Sequence, residues 1–193
     1  MRTIVFATNN AHKLAELKAI AGDNLSILSL SDIGCSDDIP EDGATLEENA
    51  LQKARWVASR YGCDCFADDT GLEVAALGGE PGVHSARYAP GTDHDSSANM
   101  SHLLDRMAGL KDRRARFRTV IALIMGGREH LFEGIVEGEI LTAPDGDGGF
   151  GYDPLFRPVG WTSTFGSATP EAKNAVSHRG RATARLVEYL NTL

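Results

Sequence analysis

The sequence predicts an α/β fold around a mixed sheet, partly parallel and partly antiparallel. Three observations carry this. The chain opens as strand, loop, helix and strand, an order that favours a parallel pair. A long capped helix over 45–62 runs directly into another apolar segment. Two long apolar segments, within 115–140, meet at Gly126-Gly127, which is a hairpin signal.

Each element follows from its residues. "TIVFA", Thr3 to Ala7, is β-branched and apolar, as a fully buried strand requires. Leu14, Leu17, Ala21 and Leu25 then recur at helical spacing, and "LSILSL" predicts a second strand. "TLEENALQKARWVASRYG" is the clearest helix: Thr45 and Glu48 form a capping box, and Gly62 suits the C-cap. "CFAD" predicts a third strand that ends at the acidic pair Asp68-Asp69, with Thr70-Gly71 turning the chain. The Gly- and Pro-rich stretch 77–95 predicts loop, and "DSSANMSHLLDRMAGL" a helix ending at Gly109. "APDGDGGFGYDPLF" predicts a glycine-rich loop running into an apolar segment. The last helix is "SHRGRATARLVEYLNTL", with Ser177 as N-cap.

With 193 residues, 42% hydrophobic and 24% charged, the chain suits a single domain spanning 1–193. The opening "MRTIVFATNN" has too short an apolar run for a signal-peptide core, and the longest later run, "TVIALIMGG", is far short of a bilayer span, so a cytoplasmic protein with no membrane partner is expected. Cys35, Cys63 and Cys65 form no even disulfide framework and lack paired zinc-ligand spacing, so they read as structural thiols. The net charge of −8 disfavours nucleic acid as a partner. A small anion needs only a local cluster of donors and cations.

Polar chemistry gathers at four places. "TNNAHK" (Thr8, Asn9, Asn10 through Lys13) lies between a strand and a helix start, where amides and the dipole favour an anion; simple Asn capping beside an exposed Lys13 fits as well. Asp68-Asp69, with Glu41 upstream, offers hard oxygen ligands. Glu41 and Asp69 suffice for Mg²⁺, which takes one or two carboxylates plus phosphate oxygens; the alternatives are a surface turn and a solvated Glu41. In "GDGGFGYDP", Phe150 and Tyr152 either cover a planar ring or fill the core. In "EAKNAVSHRGRA", Lys173, His178 and Arg179 collect near a helix N-terminus, against its dipole. A bound anion would resolve that conflict, and a structural His178 with solvated arginines is the other reading. An anion cradle, a carboxylate pair, a stacking loop and a second cationic site share one ligand type, a nucleoside triphosphate.

These stretches, with "EENALQKA", "ADDTGLEVAALGGEPGVHSARYA" and "GGFGYDPLF", closely resemble the inosine/xanthosine triphosphate pyrophosphatases, nearly end to end. The resemblance implies an elongated α/β fold of two lobes around a mixed sheet, with a nucleotide cleft between the lobes, and a homodimer. It implies Mg²⁺-dependent hydrolysis of a non-canonical purine nucleoside triphosphate to the monophosphate and pyrophosphate. By the same resemblance, Thr8 to Lys13 and Lys53 would hold the triphosphate, and Glu41 and Asp69 the magnesium. Asp69 would also be the general base, and Thr70 would contact substrate where many relatives carry Ser. Phe150, Gly151, Tyr152 and Asp153 would form part of the base pocket, completed by Lys173, His178 and Arg179. A pyrophosphatase for other modified nucleotides, or a nucleotide sensor without turnover, are the rival expectations.

Overall fold

The structure is a computed structural model and describes residues 2–193. Seven strands, β1 (Arg2–Phe6), β2 (Leu25–Leu28), β3 (Cys65–Val74), β4 (Pro81–Gly82), β5 (Arg114–Met125), β6 (Arg128–Ile140) and β7 (Phe156–Pro158), form one sheet. Their order is β2-β1-β3-β5-β6-β7, with β4 paired to β3. The helices are α1 (Ala11–Ala21), α2 (Leu46–Tyr61), α3 (Ser96–Arg106), α4 (Pro170–Val176) and α5 (His178–Asn191). β1 runs parallel to both β2 and β3, while β3–β4 and β6–β7 are antiparallel. The sheet is therefore mixed, as the sequence predicts.

The chain divides into two compact units. The first comprises Met1–Asp69, Thr119–Gly134 and His178–Leu193. Its core joins Ile4 and Phe6 of β1, Leu17 and Ala21 of α1, Phe66 of β3, Ile121 and Leu123 of β5, and Leu186 of α5. Phe6 and Phe66 are register partners, and their rings stack at 4.6 Å between centroids. The second comprises Thr70–Arg118 and Ile135–Ser177. Its core gathers Leu72, Leu103, Met107, Phe117, Leu155, Phe156 and Phe165.

Local chemistry explains most boundaries. Thr45 caps α2, its Oγ1 accepting from the Glu48 amide at 3.1 Å. Gly62 closes α2 with φ +61°, a left-handed conformation that glycine adopts without strain. Gly126 and Gly127 both have positive φ, as a two-residue hairpin turn demands.

Several boundaries differ from the sequence expectations. Leu25 opens β2 instead of extending α1. α3 ends at Arg106, before Gly109. A separate helix, α4, occupies 170–176, with Thr169 as N-cap and Pro170 in the first turn. Ser177 is its C-cap, and α5 begins at the next residue. The largest correction concerns the acidic pair. β3 does not end there but continues through Asp68, Asp69, Thr70 and Gly71 to Val74. Gly71 marks a close backbone approach: a Cβ there would lie 2.7 Å from the Gly82 carbonyl oxygen of β4.

Candidate active site

Asp68 and Asp69 are neighbours on an extended strand, where successive side chains point to opposite faces. The hydrogen bonds of the two acids consequently come from different helices. Asp68 receives Lys13 Nζ from α1 at 3.1 Å and Arg179 Nε from α5 at 3.4 Å. Asp69 accepts from Asn49 Nδ2 of α2 at 3.0 Å, and Lys53 Nζ of α2 lies 4.0 Å from its other oxygen. The tandem acid thus charges both sides of one strand.

The Asp68 side is a buried ion cluster. Asp68 is fully buried, and Arg179 is only 1% exposed. Arg179 also donates through Nη1 to Glu16. Burial opposes the charge of Asp68, but Lys13, Arg179 and Lys53 together hold its carboxyl well below the usual range. For Arg179, the carboxylates of Asp68 and Glu16 outweigh burial and raise its affinity for its proton. Arg179 is therefore not a solvated arginine, and its charge is already matched. Gly134 brings α5 to this place. A Cβ on that β6 glycine would stand 2.0 Å from the His178 carbonyl oxygen and 2.6 Å from the Ala182 amide nitrogen. Only glycine admits so close a helix. His178, the first residue of α5, is buried.

The Asp69 side is acid-rich. Glu41 precedes α2 on a loop and accepts from Lys53 Nζ at 2.6 Å. Burial, first, pushes Asp69 up to about 6; the Glu41 charge adds to this, while Lys53, Lys13 and the Asn49 hydrogen bond hold it back. Glu41 moves the other way. Burial opposes its charge, but Lys53 and a hydrogen bond with Asp69 keep it low. Of the two, Asp69 keeps the proton because it is the more buried: its side chain is 8% exposed and that of Glu41 35%. Lys53 is buried, and Asp69 and Glu41 offset the cost of its charge.

Three consecutive loop amides tie the Glu41 loop to α2. Asp42 N–H donates to Gln52 Oε1 at 3.2 Å, Gly43 N–H to Asn49 Oδ1 at 2.7 Å, and Ala44 N–H to Glu48 Oε2 at 2.7 Å. The capping box is thus shifted by one residue, since Glu48 takes the amide before Thr45.

The helix start at "TNNAHK" is partly self-satisfied. Asn10 is the N-cap, and its Oδ1 accepts from the His12 and Lys13 amides at 3.0 and 3.1 Å. Thr8 Oγ1 accepts from the Asn10 amide at 3.2 Å, and Asn9 is exposed. The Asn-capping alternative therefore describes the amides, whereas Lys13 is turned onto Asp68.

Thr70 begins the second unit along β3. In that unit Asp153 is buried and accepts from the Phe150 amide at 2.9 Å and from Lys173 Nζ at 2.7 Å. The Lys173 ammonium lies 4.9 Å from the centre of the half-buried Phe150 ring. Tyr152 belongs to the core, its hydroxyl donating to the Ser85 carbonyl at 2.7 Å. Gly151, at φ +63°, donates its amide to Ser96 Oγ at 3.2 Å.

The two site cations of the fourth motif have separate carboxylate partners. Lys173 is matched by Asp153 in one unit and Arg179 by Asp68 and Glu16 in the other. Sequence reasoning missed Asn49, Glu16 and the clamping role of Asp68. Asn49 had a signal: with Lys53 it places a polar i, i+4 pair on the buried stripe that holds Leu46, Ala50, Ala54 and Val57. Among the described residues no three His, Cys, Asp or Glu side chains gather as a metal-binding group. The candidate cation ligands are the pair Glu41 and Asp69.

The model of the Ham1 family matches residues 4–189. A Christiangramia forsetii protein named dITP/XTP pyrophosphatase is 51% identical over 97% of this chain and 98% of its own length. One of the same name from Porphyromonas gingivalis is 51% identical over 98% of each chain. The solved structure of the Staphylococcus aureus Ham1 protein superposes with a TM-score of 0.89 at 38% identity, covering 98% of both chains. A HAM1 protein from Coxiella burnetii gives 0.90 at 37% identity over the whole of both.

Proposed function

This chain belongs to the Ham1 family, and on that premise we propose that it hydrolyses non-canonical purine nucleoside triphosphates. Inosine, deoxyinosine and xanthosine triphosphates would each give the monophosphate and pyrophosphate. The observation that carries the reading is Asp69: a buried carboxylate pushed up to about 6, beside Lys53 and Glu41. A general base acts best when its proton affinity lies near the operating pH. Asp69 takes the proton of the attacking water. Lys13 and Lys53, both largely buried, turn from their carboxylates toward the phosphate oxygens and stabilise the charge that develops on pyrophosphate.

Magnesium is the cofactor in this proposal, and the donor set fits it. Four carboxylates, those of Glu16, Glu41, Asp68 and Asp69, face three cations, Lys13, Lys53 and Arg179. That leaves negative charge on the Glu41–Asp69 side, and carboxylate oxygens suit a hard dication. When bound, magnesium would neutralise charge on the phosphate oxygens.

In the second unit, Phe150 and the Asp153–Lys173 pair supply a ring face and polar edges of the kind that reads a purine. We assign contact with the purine 6-oxygen to His178 and Arg179. Adenine places an amino donor at that position, where a donor from the protein would meet it, and such a mismatch is rejected by roughly 10⁴ or more. Thr70 and the Thr8–Asn10 segment complete the assignment on the triphosphate, by family resemblance. We extend the reading to a cytoplasmic homodimer on the same resemblance; sedimentation equilibrium tests the dimer.

The deciding experiment incubates the protein with inosine triphosphate and magnesium, beside ATP and GTP, and separates the products. Inosine monophosphate with pyrophosphate, and little from the controls, is expected. Diphosphate with phosphate would overturn the site of attack, and tight binding without turnover would favour a nucleotide sensor.

A further inference from the structure

Asn49 lies on the buried face of α2, and its one amide group serves two elements. Oδ1 accepts from the Gly43 amide of the Glu41 loop at 2.7 Å, and Nδ2 donates to Asp69 Oδ2 of β3 at 3.0 Å. Its orientation is fixed by its partners, an N–H on one side and a carboxylate on the other. We propose that Asn49 is a positioning residue that couples the loop carrying Glu41 to the strand carrying Asp69, and so sets the spacing of the two acids. This rests on the reading of Glu41 and Asp69 as the cation- and water-handling pair.

Few other side chains could do this. Aspartate would keep the acceptor for Gly43 but set a second carboxylate against Asp69. Alanine would lose both bonds. Glutamine would carry the amide one methylene too far. Glu48 and Gln52 hold the flanking amides, but Asn49 is the loop anchor that also reaches Asp69. Gly43 is fitted to the same contact: a Cβ there would stand 2.7 Å from Glu48 Cβ and 2.8 Å from Asn49 Oδ1. The loop backbone approaches α2 as closely as glycine allows. The coupling can be reached by mutation from either side. Asn49→Asp breaks the Asp69 half, and Gly43→Ala breaks the loop half.

The test reads three quantities: exchange of the Gly43 amide by NMR in metal-free protein, Mn²⁺ affinity without nucleotide, and kcat against KM for inosine triphosphate. In Asn49→Ala, Gly43 exchange accelerates, and Mn²⁺ affinity and kcat each fall about 10- to 100-fold, the usual effect of losing a residue that orients a ligand. KM changes less than kcat. In Asn49→Asp, the Gly43 amide stays protected while kcat falls. In Gly43→Ala, Mn²⁺ affinity falls, because the added carbon crowds Asn49 Oδ1 and displaces the loop amide. Wild-type kcat in Asn49→Asp, or wild-type Mn²⁺ affinity in Gly43→Ala, overturns the coupling. Asp69→Asn separates the two levels. If it keeps turnover, the reading of the acids fails. If it is dead while Asn49→Ala matches wild type, only the coupling fails.

Discussion

Lys13 and Arg179 converge on one carboxylate: Lys13 Nζ is 3.1 Å from Asp68 Oδ1, and Arg179 Nε is 3.4 Å from Asp68 Oδ2. Residues 166 positions apart in the chain are thereby fixed to the same strand, on the face opposite Asp69. Asp68 is an anchor for these two cations.

Removing that anchor leaves two buried cations with too little opposing charge. Asp68→Ala should lower stability by about 3–5 kcal/mol, the range for breaking a buried pair from one side. Urea unfolding measures this. KM for inosine triphosphate should rise as well, because Lys13 loses its fixed position. Unchanged stability would show that the pair contributes nothing to the fold.

Asp69→Asn should abolish nearly all turnover, a loss of about 10²- to 10⁴-fold for a general base alone. It should also stabilise the metal-free protein. The folded-state affinity of Asp69 for its proton is raised, to about 6 from 3.8. Its contribution to stability is therefore fully present below pH 3.8 and lost as pH rises through 6. Above that, the ionised, buried acid costs up to about 3 kcal/mol, which Asn avoids. Melting curves in chelator should separate most above pH 7 and converge near pH 4. A parallel pair of curves would refute the raised value.

Lys173→Ala strands a buried Asp153 carboxylate and should cost about 3–5 kcal/mol. Asp153→Asn, which retains an acceptor for the Phe150 amide, should cost less. On the proposed function, both should lower kcat/KM for inosine triphosphate more than they alter Mn²⁺ affinity. Equal loss in both measurements would detach the pair from base recognition.

Gly134→Ala should lower the Tm by several degrees, because the added carbon meets backbone atoms of α5 that cannot rotate away. Activity should fall with it, since His178 and Arg179 ride on that helix. Differential scanning calorimetry and a turnover assay together check this.

Periodicity and capping made much of the fold legible. The buried run of β1, the Thr45 cap and Gly62 close of α2, and the Gly126-Gly127 hairpin were all readable because their signals are local. The course of β3 was not. Asp-Asp-Thr-Gly has turn composition, yet β3 carries it extended between β5 and β4, where Leu72 pairs with Gly82. α4 escaped notice because seven residues present barely two turns of pattern. Lys13, Lys53, Glu41 and Asp69 were legible as charges of the right kind. The ion pairs of Lys13 and Arg179 were not, because nothing local marks Glu16 or Asp68 as their partners until tertiary contacts bring the cations to them.

The three-point lashing of residues 42–44 to α2 has a consequence for chain surgery. Glu41 is presented by its own helix through residues 42–44, while the path that leads in adds only the partly exposed Asp37–Arg60 pair at 3.3 Å. A linker spliced into 36–40 should leave Glu41 where it is, so that stretch is a natural port for a tag or an inserted domain. A single residue added between Gly43 and Thr45 should silence the enzyme.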